Sequence, residues 1–269
     1  MVIVIVVNLF PLLLWADNSS FDSISQPNNK DPGPNNEMVY ISAGEFIMGS
    51  NTLSVRTKPE RKVFVKAFYI DHYEVTNSQY KRFIDSTGHE APDLSRISDE
   101  DFNRYAKRFA WRNGSYLPDR KYHPVQYVNF NDAVAYCKWA KKRLPEEEEW
   151  EKAARGSDGR NWPWGDTLVN EIVNTGSSGI RDTTEVDFFP SGMSPYGVYG
   201  MAGNVWEWVD TPFKPYPGST AKTPDFEAMT IRGGSWESDF NFSQTAYRDF
   251  SEPEVKKRTI GFRCAKDAD

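Results

Sequence analysis

The sequence predicts an α+β domain with much irregular chain, on three observations. One run is dominated by β-branched and aromatic residues, three stretches carry helix start and stop signals, and long segments between them show neither period. The most unusual segment is 197–208, GVYGMAGNVWEW. Its three glycines in seven residues allow positive φ or close backbone approach. The two tryptophans flanking Glu207 need walls of protein and partners for their ring N–H groups. The segment reads as a shaped, buried loop, either packing alone or the wall of a site.

Residues 2–15, VIVIVVNLFPLLLW, are apolar except for Asn8 and too short to span a bilayer, which takes about 20 residues. A run of this length ending in Ala16 fits a secretory signal peptide over 1–16, although no Lys or Arg precedes Lys30. The other readings are a misplaced start or a membrane-held tail. Residues 17–37, rich in Asn, Ser, Asp and Pro, cannot bury enough apolar surface to offset ordering and read as a flexible linker. A single folded domain is expected over 38–269, since a chain with 39% apolar and 14% aromatic residues can bury a large core.

Residues 62–70 are strand-like. Thr76 and Gln79 form a capping box for a helix through Ser86, with Gly88 at its stop and Tyr80, Phe83 and Ile84 on its buried face. Residues 90–122 are polar and irregular, with Trp111 and Tyr116 as anchors. Asn131 is the expected N-cap of a second helix through Lys141, and Pro145 opens a third that Gly156 ends. Glu146 to Glu149 place negative charge at the positive end of that helix; a dipole-facing, solvated cluster explains them more simply than a metal site. Residues 161–166, NWPWGD, read as an aromatic-filled turn.

The net charge of −6, from 32 basic and 38 acidic side chains without a cationic cluster, argues against a nucleic-acid surface. His72, His89 and His123 lack metal-ligand spacing. Two cysteines, Cys137 and Cys264, form a disulfide if the chain is exported, or two buried thiols if it is cytoplasmic.

GNVWEW within 203–208, RGGSW at 232–236 and GFRC at 261–264 resemble, in that order, the formylglycine-generating enzyme (sulfatase-modifying factor) family. So do MVYISAGEFIMGS at 38–50, FYIDHYEVT at 68–76, HPVQYVNFNDAVAYCKWA at 123–140 and RLPEEEEWEKAARG at 143–156. The resemblance implies that family's variant of the C-type-lectin-like fold and a Cys137–Cys264 bridge. Family enzymes oxidise a sulfatase cysteine with two cysteines that hold copper(I), for which soft thiolates are required. The matching positions are Ser238 and Ser243, so the resemblance carries over neither copper nor the oxidation. Ser235 matches a family active-site serine, with no base evident beside it.

The resemblance further implies structural calcium, through the Gly203 and Val205 carbonyls and the Glu207 carboxylate, with Asn174 heading a second site. At the first position of the Glu207 site the family's asparagine is Gly200. The expected cleft comprises Trp206, Trp236, Glu237, Ser238, Asp239, Phe242, Ser243, Tyr247 and Arg248, aromatic walls with convergent polar groups suited to an unidentified peptide, protein or small molecule. The first functional expectation is an exported (secreted or periplasmic) binding or accessory module, not an integral membrane protein. The second is an enzyme of different chemistry, like the family's pyoverdine-maturation members, with Glu237 or Asp239 as acid or base.

Overall fold

The structure is a computed structural model that describes residues 37–93 and 111–268. The expected signal peptide, all of the expected linker but Glu37, and residues 94–110 of the irregular segment lie outside the described residues. All described residues belong to one compact unit.

Strands β1 (Met38–Ile41), β2 (Gly44–Met48), β3 (Arg61–Val65) and β4 (Phe68–Asp71) open the domain. The single strand expected over 62–70 is thus two, broken after Val65. Helices α1 (Asn77–Thr87), α2 (Phe130–Trp139) and α3 (Glu147–Arg155) follow, then β5 (Trp206–Pro212), β6 (Met229–Arg232), β7 (Arg248–Ser251), β8 (Ile260–Phe262) and β9 (Ala265–Asp267). β1, β4 and β9 form an antiparallel sheet that joins both ends of the domain, and β2 with β3 forms a hairpin. A four-stranded sheet runs β7-β6-β5-β8, with β8 parallel to β5. Three of the resemblance motifs therefore meet as neighbouring strands: Glu207 pairs with Arg232 on one side and Gly261 on the other.

Local signals act as expected in α1. Thr76 and Gln79 make the reciprocal capping box, and Gly88 closes the helix at φ 72°. In α2 the cap is Asn129, not Asn131: its side chain accepts from the Asp132 N–H at 2.8 Å, and Asp132 returns the bond. Asn131 faces outward and donates to Glu254. In α3 the cap is Glu146, so Pro145 precedes the helix instead of opening it.

Two hydrophobic clusters fill the interior. One packs Tyr80, Phe83, Tyr136, Trp208 and Phe262 between α1, α2 and the four-stranded sheet. The Cys137–Cys264 disulfide lies within it, with Cα atoms 5.6 Å apart. The other packs Phe46, Phe68, Ile70, Trp150 and Met201 between α3 and strands β1–β4.

The α3 glutamates correct the solvated expectation. Glu147 and Glu151 are buried and face Arg232 and Arg248: Arg248 grips Glu147 through Nε and Nη2 at 2.7 and 2.6 Å, and Arg232 donates to Glu151 at 2.5 Å. Glu149 accepts two bonds from Arg143.

Candidate binding cleft

The cleft begins at the RGGSW turn. Gly233 and Gly234 adopt φ of 96° and 76°, and a Cβ on Gly234 would lie 3.0 Å from the Phe242 carbonyl. Glycine therefore lets this turn lie against the short helix Phe240–Ser243.

The two serines at the thiol positions are committed locally. Ser238 Oγ accepts from the Ser235 N–H at 2.9 Å and shares a 3.0 Å hydrogen bond with Ser235 Oγ. Ser243 is fully buried, and its hydroxyl donates to the Phe240 carbonyl at 2.7 Å. Hydroxyls closing backbone turns are hard, protonated groups, with none of the thiolate character that a soft metal needs. Among the described residues no histidine hydrogen-bonds to Ser235; His123 instead contacts Thr183 and Arg120.

Three of the expected cleft aromatics stand in a row of ring contacts. Phe242, 40% exposed, lies 4.7 Å from the Tyr247 ring, which in turn lies 6.1 Å from Trp206. Trp236 is buried beneath the Arg258 guanidinium, 5.4 Å from its ring centroid. Arg248 does not belong here. It is buried in the Glu147 network, with its guanidinium over Phe213 and Tyr216 and donating to the Lys214 carbonyl.

The acid/base expectation also changes. Glu237 is exposed and ion-paired with Arg258, and Asp239 is exposed and caps the Phe240–Ser243 helix through the Asn241 N–H. General acid–base work with a tuned carboxylate requires a dry pocket, and neither side chain occupies one.

The calcium expectation can be tested against the donor set. Asn174 and Gly203 do meet, as a parallel bridge, and Val205 is buried beside them. However, Arg263 clamps Glu207 from Nε and Nη2 at 2.7 Å each, and Trp150 Nε1 donates to the same carboxylate at 2.9 Å. Asn174 Oδ1 accepts from Ser178. A guanidinium occupies the side of Glu207 that a cation would need, so Glu207 does not fit the role of calcium ligand. Among the described residues no group of three or more His, Cys, Asp or Glu side chains could hold a metal ion.

Sequence reasoning missed Glu74. It is fully buried; Oε1 accepts from Asn204 Nδ2 at 2.9 Å, and Oε2 accepts no hydrogen bond, 3.8 Å from Arg263 Nη2. Its carboxylate lies against Gly200, where an added Cβ would meet Oε2 at 2.2 Å. A glycine at position 200 is thus what leaves room for Glu74. Burial pushes the Glu74 carboxyl up to about 7, opposed by Arg263 and reinforced by Glu207. Asn204, at φ 62°, holds this corner together by also accepting from the Thr184 N–H and from Asn174. Beside it, Asn174, Thr184, Tyr199, Gly200 and Asn204 line a small, partly open pocket. Asn204 and Arg263 stand inside the quoted motifs GNVWEW and GFRC, which was the available signal.

Comparison with known proteins bears on the family and the fold. Residues 24–268 match the sulfatase-modifying factor enzyme 1-like domain. The formylglycine-generating enzyme of Bos taurus is 33% identical over 286 residues, covering 88% of this chain and 76% of that protein. Hercynine oxygenase of Mycolicibacterium smegmatis is 29% identical, covering 88% of this chain and 62% of its own length. Among solved structures, PvdO from Pseudomonas aeruginosa superposes with a TM-score of 0.72 at 26% identity, covering 87% of this chain and 95% of that one.

Proposed function

The chain belongs to the sulfatase-modifying factor enzyme 1-like domain family, and from that membership we propose an exported, non-oxidase member that binds a ligand through its aromatic cleft. Relatives named for two different activities, formylglycine generation and hercynine oxygenation, match over most of the chain. Membership therefore leaves the reaction open, and the residues at the site must decide it. The observation that carries the reading is the pair Ser238 and Ser243, whose hydroxyls are spent on Ser235 and on the Phe240 carbonyl. Without thiolates the cleft lacks the soft ligands that copper(I) requires. What it keeps is recognition chemistry: Phe242 and Tyr247 as an accessible aromatic surface, and Arg258 with Glu237 beside Trp236. Export rests on the apolar run 2–15. Among the described residues no helix is long and apolar enough to cross a membrane.

A fragment screen by ligand-observed NMR against the wild type, Phe242→Ala and Trp236→Ala tests the reading. Phe242 is exposed, so its variant leaves the core intact. Binding fragments are expected whose signals are lost in both variants. Hits that ignore both substitutions would contradict a cleft function.

A further inference from the structure

The expectation that no cations cluster passes over one short run, Lys-Lys-Arg at 256–258, in a chain of net charge −6. Lys256 pairs with Asp132 at 2.9 Å, Lys257 is exposed, and Arg258 turns over the cleft. The backbone beneath Arg258 is held from three directions. The Tyr127 N–H donates to the Lys257 carbonyl at 3.0 Å, and the Gln126 side-chain amide and Trp236 Nε1 both donate to the Arg258 carbonyl. Tyr127 itself takes φ 57°, a left-handed conformation that bulky residues rarely adopt and that persists only where its surroundings impose it.

The side chain on this fixed backbone is accessible. Arg258 is 43% exposed, and its partner Glu237 is 38% exposed. An ion pair so open to water contributes little, because each charge is nearly as well solvated alone. The guanidinium is also placed over the Trp236 ring, 5.4 Å from its centroid. A planar guanidinium fork accepts carboxylates and phosphates bidentately while stacking on an aromatic face. Glu237 thus sits where an external anion would sit, tethered two residues from the Ser235 hydroxyl that its own N–H contacts.

We propose that Arg258 reads an anionic group on the ligand, a carboxylate or a phosphate monoester, and that this group replaces Glu237 on the guanidinium. The inference rests on the cleft reading above and adds the ligand's chemical class. Glu237 acts as an internal competitor: it keeps Arg258 oriented in the free protein and must be displaced by the ligand, at small cost. Because the pair is exposed, binding weakens as salt rises.

Isothermal titration of the full chain with phenylacetate, phenyl phosphate and neutral phenylacetamide tests this. At least one anion is expected to bind with a Kd about 5-fold or more below that of phenylacetamide. Comparison of the two anions tells carboxylate from phosphate. Glu237→Gln, which removes the competing charge, should tighten the anion about 3-fold or more relative to phenylacetamide. Arg258→Ala should abolish the preference for the anion, and Arg258→Lys should retain part of it. Equal binding of anion and amide, or anion affinity unchanged or weakened in Glu237→Gln, would overturn the proposal while leaving the cleft reading intact. Failure of all three probes to bind would overturn both.

Discussion

Glu74 shows how much rests on one atom. Between its ordinary value near 4.5 and about 7, the folded chain holds a proton on this carboxyl that the unfolded chain has released. Its contribution to stability is therefore complete below pH 4.5 and lost as pH rises through 7. At about 1.4 kcal/mol per unit, the loss is about 3 kcal/mol at most. His123 works the other way. Burial, with Arg120 beside it, pushes its imidazole down to about 4, so it adds stability above pH 6.5 that is lost as pH falls through 4. Glu74→Gln should melt a few degrees above wild type at pH 8 and close to it at pH 4.5. A difference that stays constant across thermal melts in this range would contradict the assignment. The pairing of Glu74 with Asn204 was not legible in sequence, because the two stand 130 residues apart, although the motifs that carry them were. The Thr76–Gln79 capping box was legible, since its physics is complete within four residues.

At the scale of elements, α3 is the clearest case. Its first turn reads as an acidic, dipole-facing surface, but the folded chain brings Arg232 of β6 and Arg248 of β7 against it. The misplacement of Arg248 in the cleft and of the glutamates in water was one error with one cause: both halves of a buried ion network are polar in sequence. Glu147→Ala would leave Arg248 buried without its carboxylate, at a cost of about 3–5 kcal/mol in urea unfolding. A loss below 1 kcal/mol would show that the network relaxes or hydrates. The β5 loop gives a second expectation. Because Arg263 already neutralises Glu207, melting temperatures in chelator and in millimolar calcium should coincide. A calcium-dependent rise abolished by Glu207→Ala would show that the ion displaces the guanidinium.

The whole molecule is held together by contacts between distant segments. β4 pairs with β9, β5 with β8, and the disulfide joins α2 to the C-terminal segment across 127 residues. In the chain-entropy view a loop of that length makes the bridge worth about 4–5 kcal/mol, so Cys137→Ser should lower stability by several kcal/mol in urea unfolding without reductant, a difference that should shrink once a reductant opens the wild-type bridge. The fold was legible at this scale because motifs in fixed order name a family, and the strands carrying three of them turn out to be neighbours. The site was legible only in part. The identities of Ser238 and Ser243 stand in the sequence, whereas the exposure of Glu237 and the cover of Arg258 over Trp236 depend on packing.

The central claim, that this frame no longer makes formylglycine, meets its most direct test in one assay. The purified chain is incubated with copper, reductant, oxygen and a peptide carrying a sulfatase-type cysteine motif, and the peptide is weighed by mass spectrometry. The account predicts no aldehyde above a Ser238→Ala, Ser243→Ala control, because neither hydroxyl can hold copper(I). Aldehyde formed by the wild type and lost in that control would contradict it.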